Sequence, residues 1–375
     1  MNFEEYAAKE EVLTPAGVPI PRGYLCKTPQ EAALAFNEIG PCVVKAQVPT
    51  GKRGKAGGIK PADTAKDTEA RAADILGMNI DGHIVEKVLI EERANIAREF
   101  YAAVIHDVAA RKPLILFSTE GGMDIEEVTA TRPDALRRLP VDLDQGLEPE
   151  EARLLVRDLD LGDAEEKIAE ILQALYRAAV TYDAELLEIN PLALLEDGRI
   201  VALDCKLTLD DAAAFRQGDL PHSAAREKQT ELERIGSANG LKFIQLDGNV
   251  GVLANGAGLT MTTMDVISHF GGRPANFLEI GGEAYTKAEP ALKLVLSNPG
   301  VKSLVVNFCG AFARTDVMAD GVVKAWQSLN PAIPVFFSIH GTGEDEAVRL
   351  VRDRLGIEPY ALMEDAVKAA VEAAR

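Results

Sequence analysis

Four polar residues, Glu188, Asn190, Asp204 and Lys206, have the side-chain types of a metal and nucleotide site. They lie in Glu185–Leu207, a segment predicted to form two strands joined by a short turn. Carboxylate and amide oxygens that converge on one face of a hairpin are what Mg²⁺ bound to nucleotide phosphates requires. The alternative interpretation is an edge hairpin with an ordinary solvated polar face.

The register of this hairpin decides whether the polar residues meet. Gly198 can adopt the positive φ that a short hairpin loop needs, and one possible loop is the three-residue Glu196-Asp197-Gly198. That loop pairs Leu195 with Arg199 and places Asn190 opposite Asp204, whereas a two-residue loop pairs Asn190 with Cys205. In the first register one face carries Glu188, Asn190, Asp204 and Lys206, and the other carries Leu187, Ile189, Leu203 and Cys205.

Candidate phosphate-binding residues lie in a glycine- and lysine-rich loop, residues 50–58 (TGKRGKAGG), after a predicted strand. Glycine lets backbone amides approach phosphate oxygens. The basic side chains that could neutralise the phosphate charge are Lys45, Lys52, Arg53 and Lys55. The loop is neither a P-loop nor GxGxxG, so a mobile basic surface loop is the alternative. Farther on, Glu91 and Glu99 could accept hydrogen bonds from a base or ribose, or could simply be solvated.

Two glycine-containing loops in the C-terminal half, residues 255–258 (NGAG) and 310–314 (GAFAR), follow predicted strands and precede helices. Ligands of open parallel sheets collect at the carboxyl ends of strands, near the point where strand order reverses. Helix N-terminal amides favour anions there, and Arg314 could pair with a carboxylate or phosphate. Alternatively, the glycines only permit tight turns. No histidine lies in a triad or ligand arrangement, and no GxSxG motif is present.

The elements that must position these residues follow two patterns. The N-terminal part predicts helices over 3–14, from Thr28 and over 164–179, with strands over 42–48, 84–90, 100–106 and 113–119. After a polar connector, residues 217–241, a plan of strand, glycine turn and helix recurs at 251–258, 276–282, 303–310 and 335–343. The chain ends in a helix over 363–374. Such alternation indicates a parallel sheet with helices on both faces.

The composition indicates a globular α/β protein of two or three domains, with 375 residues of which 47% are hydrophobic. The formal charge of −19, without any lysine- or arginine-rich tract, argues against nucleic-acid or membrane binding. The four cysteines are widely separated and predict reduced thiols. The N-terminus lacks signal-peptide features, and no apolar run reaches the length of a membrane span, so we expect a cytoplasmic location.

Segments spread over nearly the whole chain together resemble the β subunit of succinate–CoA ligase. They include VVKAQV, RGKAGGIK, STEGGMDIE, LLEINPL, ALDCKL, LDGNVG and NGAGLTMTTMD. The resemblance implies an ATP-grasp nucleotide-binding region over residues 1–235. It also implies a flavodoxin-like CoA-ligase domain with a doubly wound parallel sheet over residues 236–375. The implied reaction converts an acid, CoA and ATP or GTP into acyl-CoA, nucleoside diphosphate and phosphate, with Mg²⁺ as cofactor.

The resemblance also assigns site residues. The nucleotide positions would be Lys45, Lys52, Arg53, Gly54, Glu91, Ala94 and Glu99, and the Mg²⁺ ligands would be Asn190 and Asp204. The acid substrate would be held by Asn255, Ala311, Phe312, Ala313 and Arg314. Arg53 and Glu188 are the expected catalytic residues. The phosphorylated histidine and most of the CoA site would belong to a partner α subunit, which agrees with the lack of an internal nucleophile.

Several positions depart from the family pattern. Pro49 and Lys52 replace a histidine and a glycine in the basic loop, and Ala94 replaces a nucleotide-site threonine. A glutamate, in Gly281-Gly282-Glu283, replaces the third glycine of a GGG run. Where the family has the acid-site signature GGIVRCD, this chain has GAFARTD. Where a later strand of the family ends in Arg-Leu-Glu-Gly, this chain has Ser338–Gly341 (SIHG). Phenylalanine beside the substrate loop changes pocket volume and polarity, so malate or citrate is an alternative to succinate.

Two other functions remain alternatives from the sequence. One is a stand-alone ATP-grasp ligase that works through an acyl phosphate, which the long C-terminal parallel-sheet domain disfavours. The other is a nucleotide-binding paralogue without turnover, which suits the altered acid loop but not the presence of Arg53, Asn190 and Asp204. ATP is favoured over GTP as the nucleotide.

Overall fold

The computed structural model describes residues 1–225, 228–280 and 287–375 of the chain. It forms two compact units, Met1–Glu227 and Lys228–Arg375. The boundary therefore falls earlier than the division after residue 235 expected from the sequence. The reason is the helix Glu231–Ala238, whose Gly236 packs closely against Phe243 of the second unit.

The N-terminal unit contains six α-helices in its described part: α1 (Glu5–Ala8), α2 (Pro29–Ile39), α3 (Ala65–Ile75), α4 (Ile125–Thr131), α5 (Pro149–Val156) and α6 (Glu165–Thr181). The first continues as a π-helical turn, Lys9–Leu13. Short 3₁₀ turns occur at Pro133–Ala135, Gly162–Ala164, Asp211–Arg216 and Leu220–Ser223. Thr28 caps α2 by accepting a hydrogen bond from the backbone N–H of Glu31, as its position before Pro29 predicts.

The strands of this unit are β1 (Gly23–Cys26), β2 (Cys42–Ala46), β3 (Ile59–Ala62), β4 (Asn79–Ile80), β5 (His83–Ile84), β6 (Val88–Glu92), β7 (Ile96–Asp107), β8 (Lys112–Ser118), β9 (Leu136–Pro140), β10 (Ala184–Leu195), β11 (Ile200–Ala202) and β12 (Lys206–Leu209). The single strand predicted over residues 84–90 is wrong, because residues 85–87 separate β5 from β6.

Two antiparallel sheets organise the unit. One has the order β1-β6-β2-β3, and the other has the order β11-β10-β7-β8-β9, with β12 also paired to β10. Helix α6 buries its apolar face against the second sheet, where Ile168 and Leu172 join Phe100 and Phe117 in the main core. The basic loop follows β2 and the polar hairpin residues lie on β10, β12 and their connection, so both sheets supply candidate site residues.

The hairpin register predicted from the three-residue loop is confirmed. Leu192 pairs with Ala202 and Glu188 pairs with Lys206, which places Asn190 opposite Asp204. One part of the prediction is wrong. Leu203 packs near Ala193, Leu195 and Val201 instead of joining Leu187, Ile189 and Cys205 in the main core. The reason is a register shift in β10 between Ile189 and Leu192, where the alternation of side chains changes face.

The C-terminal unit contains α7 (Glu231–Ala238), β13 (Phe243–Gln245), β14 (Val250–Ala254), α8 (Ala257–His269), β15 (Asn276–Leu278), α9 (Ala288–Ser297), β16 (Ser303–Gly310), α10 (Thr315–Leu329), β17 (Val335–Gly341), α11 (Glu344–Leu355) and α12 (Met363–Ala373). The expectation for residues 281–283 lies outside the described residues. Nowhere in the described ranges is a helix both long and apolar enough to cross a membrane.

The parallel sheet of this unit confirms the flavodoxin-like expectation. Strand β14 pairs with β16 and β16 with β17, while parallel bridges attach the segment around β15 to the other side of β14. Helices α8 and α12 pack on one face, and α9, α10 and α11 pack on the other. Strand order therefore reverses between β14 and β16, where ligands of doubly wound sheets collect.

Candidate functional site

A cleft of about 540 Å³ lies in the N-terminal unit between the basic loop and the polar hairpin. Most of the residues expected at a nucleotide site line it: Lys45, Lys52, Arg53, Gly54, Glu99, Glu188, Asn190 and Asp204. Residues 122–126, which lead from β8 into α4, complete the wall. Its volume is in the range of small-molecule and cofactor sites.

Arg53 is held rigidly at the floor of this cleft. Its Nη1 donates to the carbonyl oxygen of Ala46, and its Nη2 donates to Asp204 Oδ1 at 2.6 Å. Glu5 Oε2 lies 2.7 Å from Nη1. Burial would lower the pKa of the guanidinium, but Asp204 and Glu5 raise it above its ordinary value. Arg53 is therefore a fixed positive charge beside the hairpin.

The basic loop has an unusual backbone at Lys52. This residue adopts φ of +60°, in the left-handed region that favours glycine. The side chain is exposed, and its Nζ lies 3.1 Å from Asp124 Oδ2 across the cleft. The lysine thus keeps the backbone geometry suited to a glycine and adds a cation at the rim.

Lys45 and Glu91 form part of a buried ion-pair network that sequence reasoning missed. Lys45 Nζ donates to Glu91 Oε1, and Lys9 Nζ donates to Glu91 Oε2 at 2.6 Å. Glu91 is only 2% exposed and is absent from the cleft lining. Both of its oxygens are thus committed to lysines, rather than presented at the rim. The i, i+4 spacing of Glu5 and Lys9 was the available signal, but it is typical of exposed helix pairs.

Asn190 and Asp204 have the donor types that suit Mg²⁺, and their contacts leave capacity for an ion. Asp204 Oδ1 accepts hydrogen bonds from Arg53 and from the backbone N–H of Cys205. No hydrogen bond to Asp204 Oδ2 is found among the described residues. Asn190 Oδ1 accepts from the N–H of Gly122 at 2.8 Å and keeps a second lone pair. Two protein oxygens fit Mg²⁺, which completes its shell with water and phosphate oxygens.

Glu188 is a half-buried carboxylate in the same cleft. It accepts a hydrogen bond from the Tyr101 hydroxyl at 2.9 Å and lies opposite Lys206. Burial raises the pKa of the Glu188 carboxyl above its ordinary value, although Tyr101 and Lys206 oppose the shift. Such a group can accept or hold a proton close to a reacting phosphate or imidazole.

Ala94 lies in a second pocket, of about 380 Å³, formed near the hairpin turn. The pocket is lined by Pro21, Glu92, Arg93, Ala94, Asn95, Leu195, Glu196, Asp197, Arg199 and Val201. Ala94 therefore lines this second pocket and is not among the residues that line the cleft. Polar groups predominate in the lining, and they are of the types that hydrogen-bond to a base or ribose.

The predicted acid loop lies at the carboxyl ends of β14 and β16, where strand order reverses. The Asn255 amide donates to the carbonyl oxygen of Cys309 and accepts from its N–H, both at 2.8 Å. Phe312 is fully exposed. Arg314 forms a bidentate pair with Asp316, which lowers the pKa of the Asp316 carboxyl. Both Asn255 and Arg314 thus have protein partners, and Arg314 stays at the surface.

Comparison with known proteins agrees with both units. The chain matches the ATP-grasp domain family over residues 2–194 and the CoA-ligase family over residues 253–371. It is 45% identical over 358 residues to the β subunit of the GDP-forming succinate–CoA ligase of Thermus thermophilus, covering 94% of each chain. The chain belongs to the succinate–CoA ligase β-subunit family. An ADP-forming member from Roseiflexus sp. is 42% identical, with full coverage of both chains.

Among solved structures, the succinate–CoA ligase β-subunit fold is shared by the ATP citrate lyase of Methanothrix soehngenii in complex with citrate and coenzyme A. The TM-score is 0.79, the sequence identity is 23%, and 99% of each chain is covered. This similarity supports the fold of the family member described here.

Proposed function

We propose that this chain is the β subunit of an acid–CoA ligase that forms a nucleoside diphosphate, with succinate as the acid and ATP as the nucleotide. The observation that carries the proposal is the cleft in which the buried Arg53 contacts Asp204 directly opposite Asn190. A fixed cation next to two metal-type oxygen ligands suits the triphosphate of a Mg²⁺–nucleotide. The names of the full-length relatives agree with this reaction class.

In this proposal, six of the cleft residues have defined tasks. Asn190 and Asp204 would hold Mg²⁺, which when bound neutralises charge on the transferred phosphoryl group. Arg53 and the exposed Lys52 would bind phosphate oxygens, and Gly54 would let the backbone approach them. Glu188 would orient or deprotonate the group that receives the phosphoryl.

The chain would work with an α subunit that supplies a phosphorylatable histidine and most of the CoA site. The overall reaction would convert acid, CoA and ATP to acyl-CoA, ADP and phosphate, with the phosphoryl group carried on the partner's histidine. In the C-terminal unit, Asn255 and residues 311–314 would hold the acid. The loops there offer backbone amides at the N-terminus of α10, a helix of 15 residues, which favour a carboxylate.

The reaction is tested by co-purifying the chain with candidate α subunits and supplying [γ-³²P]ATP or [γ-³²P]GTP with Mg²⁺. We expect the α subunit to carry ³²P label on a histidine, in a bond that is labile at low pH. Addition of the carboxylic acid substrate together with CoA should remove this label. A complex that binds nucleotide but never labels the α subunit would refute the ligase and favour a nucleotide-binding paralogue.

The acid is tested by turnover of the labelled complex with succinate, malate and citrate. We expect succinate to give the highest kcat/KM. Phe312 is fully exposed among the residues that the structure describes, so Phe312→Ile should leave the thermal stability of the chain unchanged. If Phe312 completes the acid site, the substitution changes the ratio of kcat/KM values among these acids. A ranking led by malate or citrate would correct the substrate assignment without affecting the nucleotide reaction.

A further inference from the structure

Two lysines of the N-terminal unit donate hydrogen bonds to the same three residues. Lys9 Nζ contacts Glu5 Oε1 at 2.6 Å, Glu91 Oε2 at 2.6 Å and the carbonyl oxygen of Leu203 at 2.7 Å. Lys45 Nζ contacts Glu5 Oε1 at 3.0 Å, Glu91 Oε1 at 2.5 Å and the same Leu203 carbonyl at 2.6 Å. We call these five residues the two-lysine cage.

The two lysines differ in their access to the cleft. Lys45 lines the cleft that holds the candidate nucleotide site. Lys9 is 2% exposed and lines neither this cleft nor the pocket around Ala94. A lysine ammonium has three hydrogens, so the three contacts of Lys45 engage all of them. Lys45 must therefore give up at least one cage contact before it can donate to a nucleotide phosphate.

The charge balance of the cage determines how costly that exchange is. If Lys45 were the sole cation of the cage, its departure would leave Glu91 as a buried, unpaired carboxylate, which is strongly unfavourable. Lys9 prevents this, because it keeps its own hydrogen bond to each carboxylate. Burial would lower the pKa of Lys9, but Glu5 and Glu91 raise it above its ordinary value, so the second cation stays charged.

We propose that Lys9 is a positioning residue for nucleotide binding, which neutralises Glu5 and Glu91 so that Lys45 can exchange a carboxylate for a nucleotide phosphate. The inference rests on the proposed function, since it concerns the same nucleotide site. It assigns the first helical turns of the chain to that site. Lys9 does not contact the nucleotide itself.

The test measures the Kd of Mg²⁺–ADP and Mg²⁺–GDP on the full-length chain by calorimetry. Lys9→Met removes the charge, and Lys9→Gln removes it while retaining hydrogen-bond donors. We expect each variant to raise the Kd of the preferred nucleotide about tenfold or more, because Lys45 becomes the only ammonium left to neutralise Glu91. The matched control is Lys87→Met, which breaks the ion pair of Lys87 with Glu4 outside the cage and should leave the Kd unchanged.

A charge-balanced rescue separates positioning from a structural role. The double variant Lys9→Met/Glu91→Gln removes one cation and one carboxylate of the cage. The remaining carboxylate, Glu5, also pairs with Arg53, so no carboxylate depends on Lys45 alone. The nucleotide affinity should therefore recover relative to that of Lys9→Met. Wild-type affinity in both folded Lys9 variants would overturn the inference and leave the proposed function intact. Loss of the fold in both variants would assign Lys9 to stability only and also overturn it. Failure of the wild-type chain to bind either nucleotide would overturn the proposed function, and this inference with it.

Discussion

Asn255 and Cys309 are joined by two hydrogen bonds that span the point where strand order reverses in the C-terminal sheet. The side-chain amide of Asn255 donates to the carbonyl oxygen of Cys309 and accepts from its N–H. This pair ties the loop after β14 to the last residues of β16, and therefore to the candidate acid loop. These bonds use one N–H and one oxygen lone pair of the Asn255 amide. The second N–H and the second lone pair can still form hydrogen bonds with a substrate.

Replacing Asn255 should weaken acid binding as well as the brace between the two loops. Asn255→Ala removes two intramolecular hydrogen bonds, each worth about 1 kcal/mol of stability, and it also removes the amide that would contact the acid, so we expect the KM of the acid to rise roughly fivefold or more. Asn255→Asp should be worse, because a carboxylate would face the Cys309 carbonyl oxygen and repel an anionic substrate. Steady-state kinetics on the αβ complex measure both. The control, Asn239→Ala, removes a hydrogen bond that the Asn239 side-chain amide donates to the carbonyl oxygen of Ile235 at the end of α7. Equal KM values for the Asp and Ala variants would contradict an anion at this loop.

Asp204→Asn should impair the use of Mg²⁺–nucleotide. The amide oxygen of the variant can still accept a hydrogen bond from Arg53, but a bound Mg²⁺ would lose an anionic ligand. We expect the Mg²⁺ concentration for half-maximal histidine labelling to rise about tenfold or more, as for other changes at metal sites. Asp197→Asn is the control, because Asp197 lies in the turn of the same hairpin and pairs with Arg199. An unchanged Mg²⁺ dependence would show that Asp204 is not a ligand.

The raised pKa of Glu188 predicts a specific pH dependence of stability. A carboxyl whose folded pKa lies above its unfolded value stabilises the fold at pH below the unfolded pKa, and that contribution is lost as pH rises through the folded pKa. Glu188→Gln should therefore become more stable relative to wild type as pH rises from 4 towards 8, as thermal unfolding can measure.

Glu166 provides a control of opposite sign for this prediction. Arg153 lowers the pKa of the exposed Glu166 carboxyl, so its contribution is present above the unfolded pKa and is lost as pH falls. Glu166→Gln should thus be least stable relative to wild type at neutral pH. Parallel pH profiles for the two variants would contradict the assignment of a raised pKa to Glu188.

Gly121→Ala should disturb the segment that contacts Asn190. A Cβ at Gly121 would lie 2.4 Å from the backbone nitrogen and oxygen of Phe100, so the segment must move. Overpacking of this kind costs about 1–3 kcal/mol, which urea titration would detect as a lower midpoint. Because the next residue, Gly122, donates to Asn190, Mg²⁺ use should weaken too. Gly51→Ala is the control, since, apart from its chain neighbours, no atom of the described residues lies within 4 Å of its added Cβ. Equal midpoints for the two variants would contradict the close packing.

Local signals predicted those parts of the site that depend on local geometry. The family resemblance favoured a three-residue loop ending in Gly198, and the period of two along the strands then placed Asn190 opposite Asp204. Period-two reasoning failed at Leu203, because the register shift in β10 depends on pairing with β7 and leaves no mark in the hairpin sequence. The C-terminal topology was predictable, since buried parallel strands appear as short apolar runs followed by glycine.

The sequence by itself determined the two-part α/β architecture and the hairpin on which Asn190 lies opposite Asp204, because these depend on neighbours along the chain and on family motifs. Only the tertiary structure decided which charged side chains are buried and which of them form ion pairs. Lys9 and Glu91 are 82 positions apart and look like ordinary surface charges until folding brings them together and removes water. Burial and ion pairing are properties of contacts between distant segments, and no local pattern of residue types encodes them.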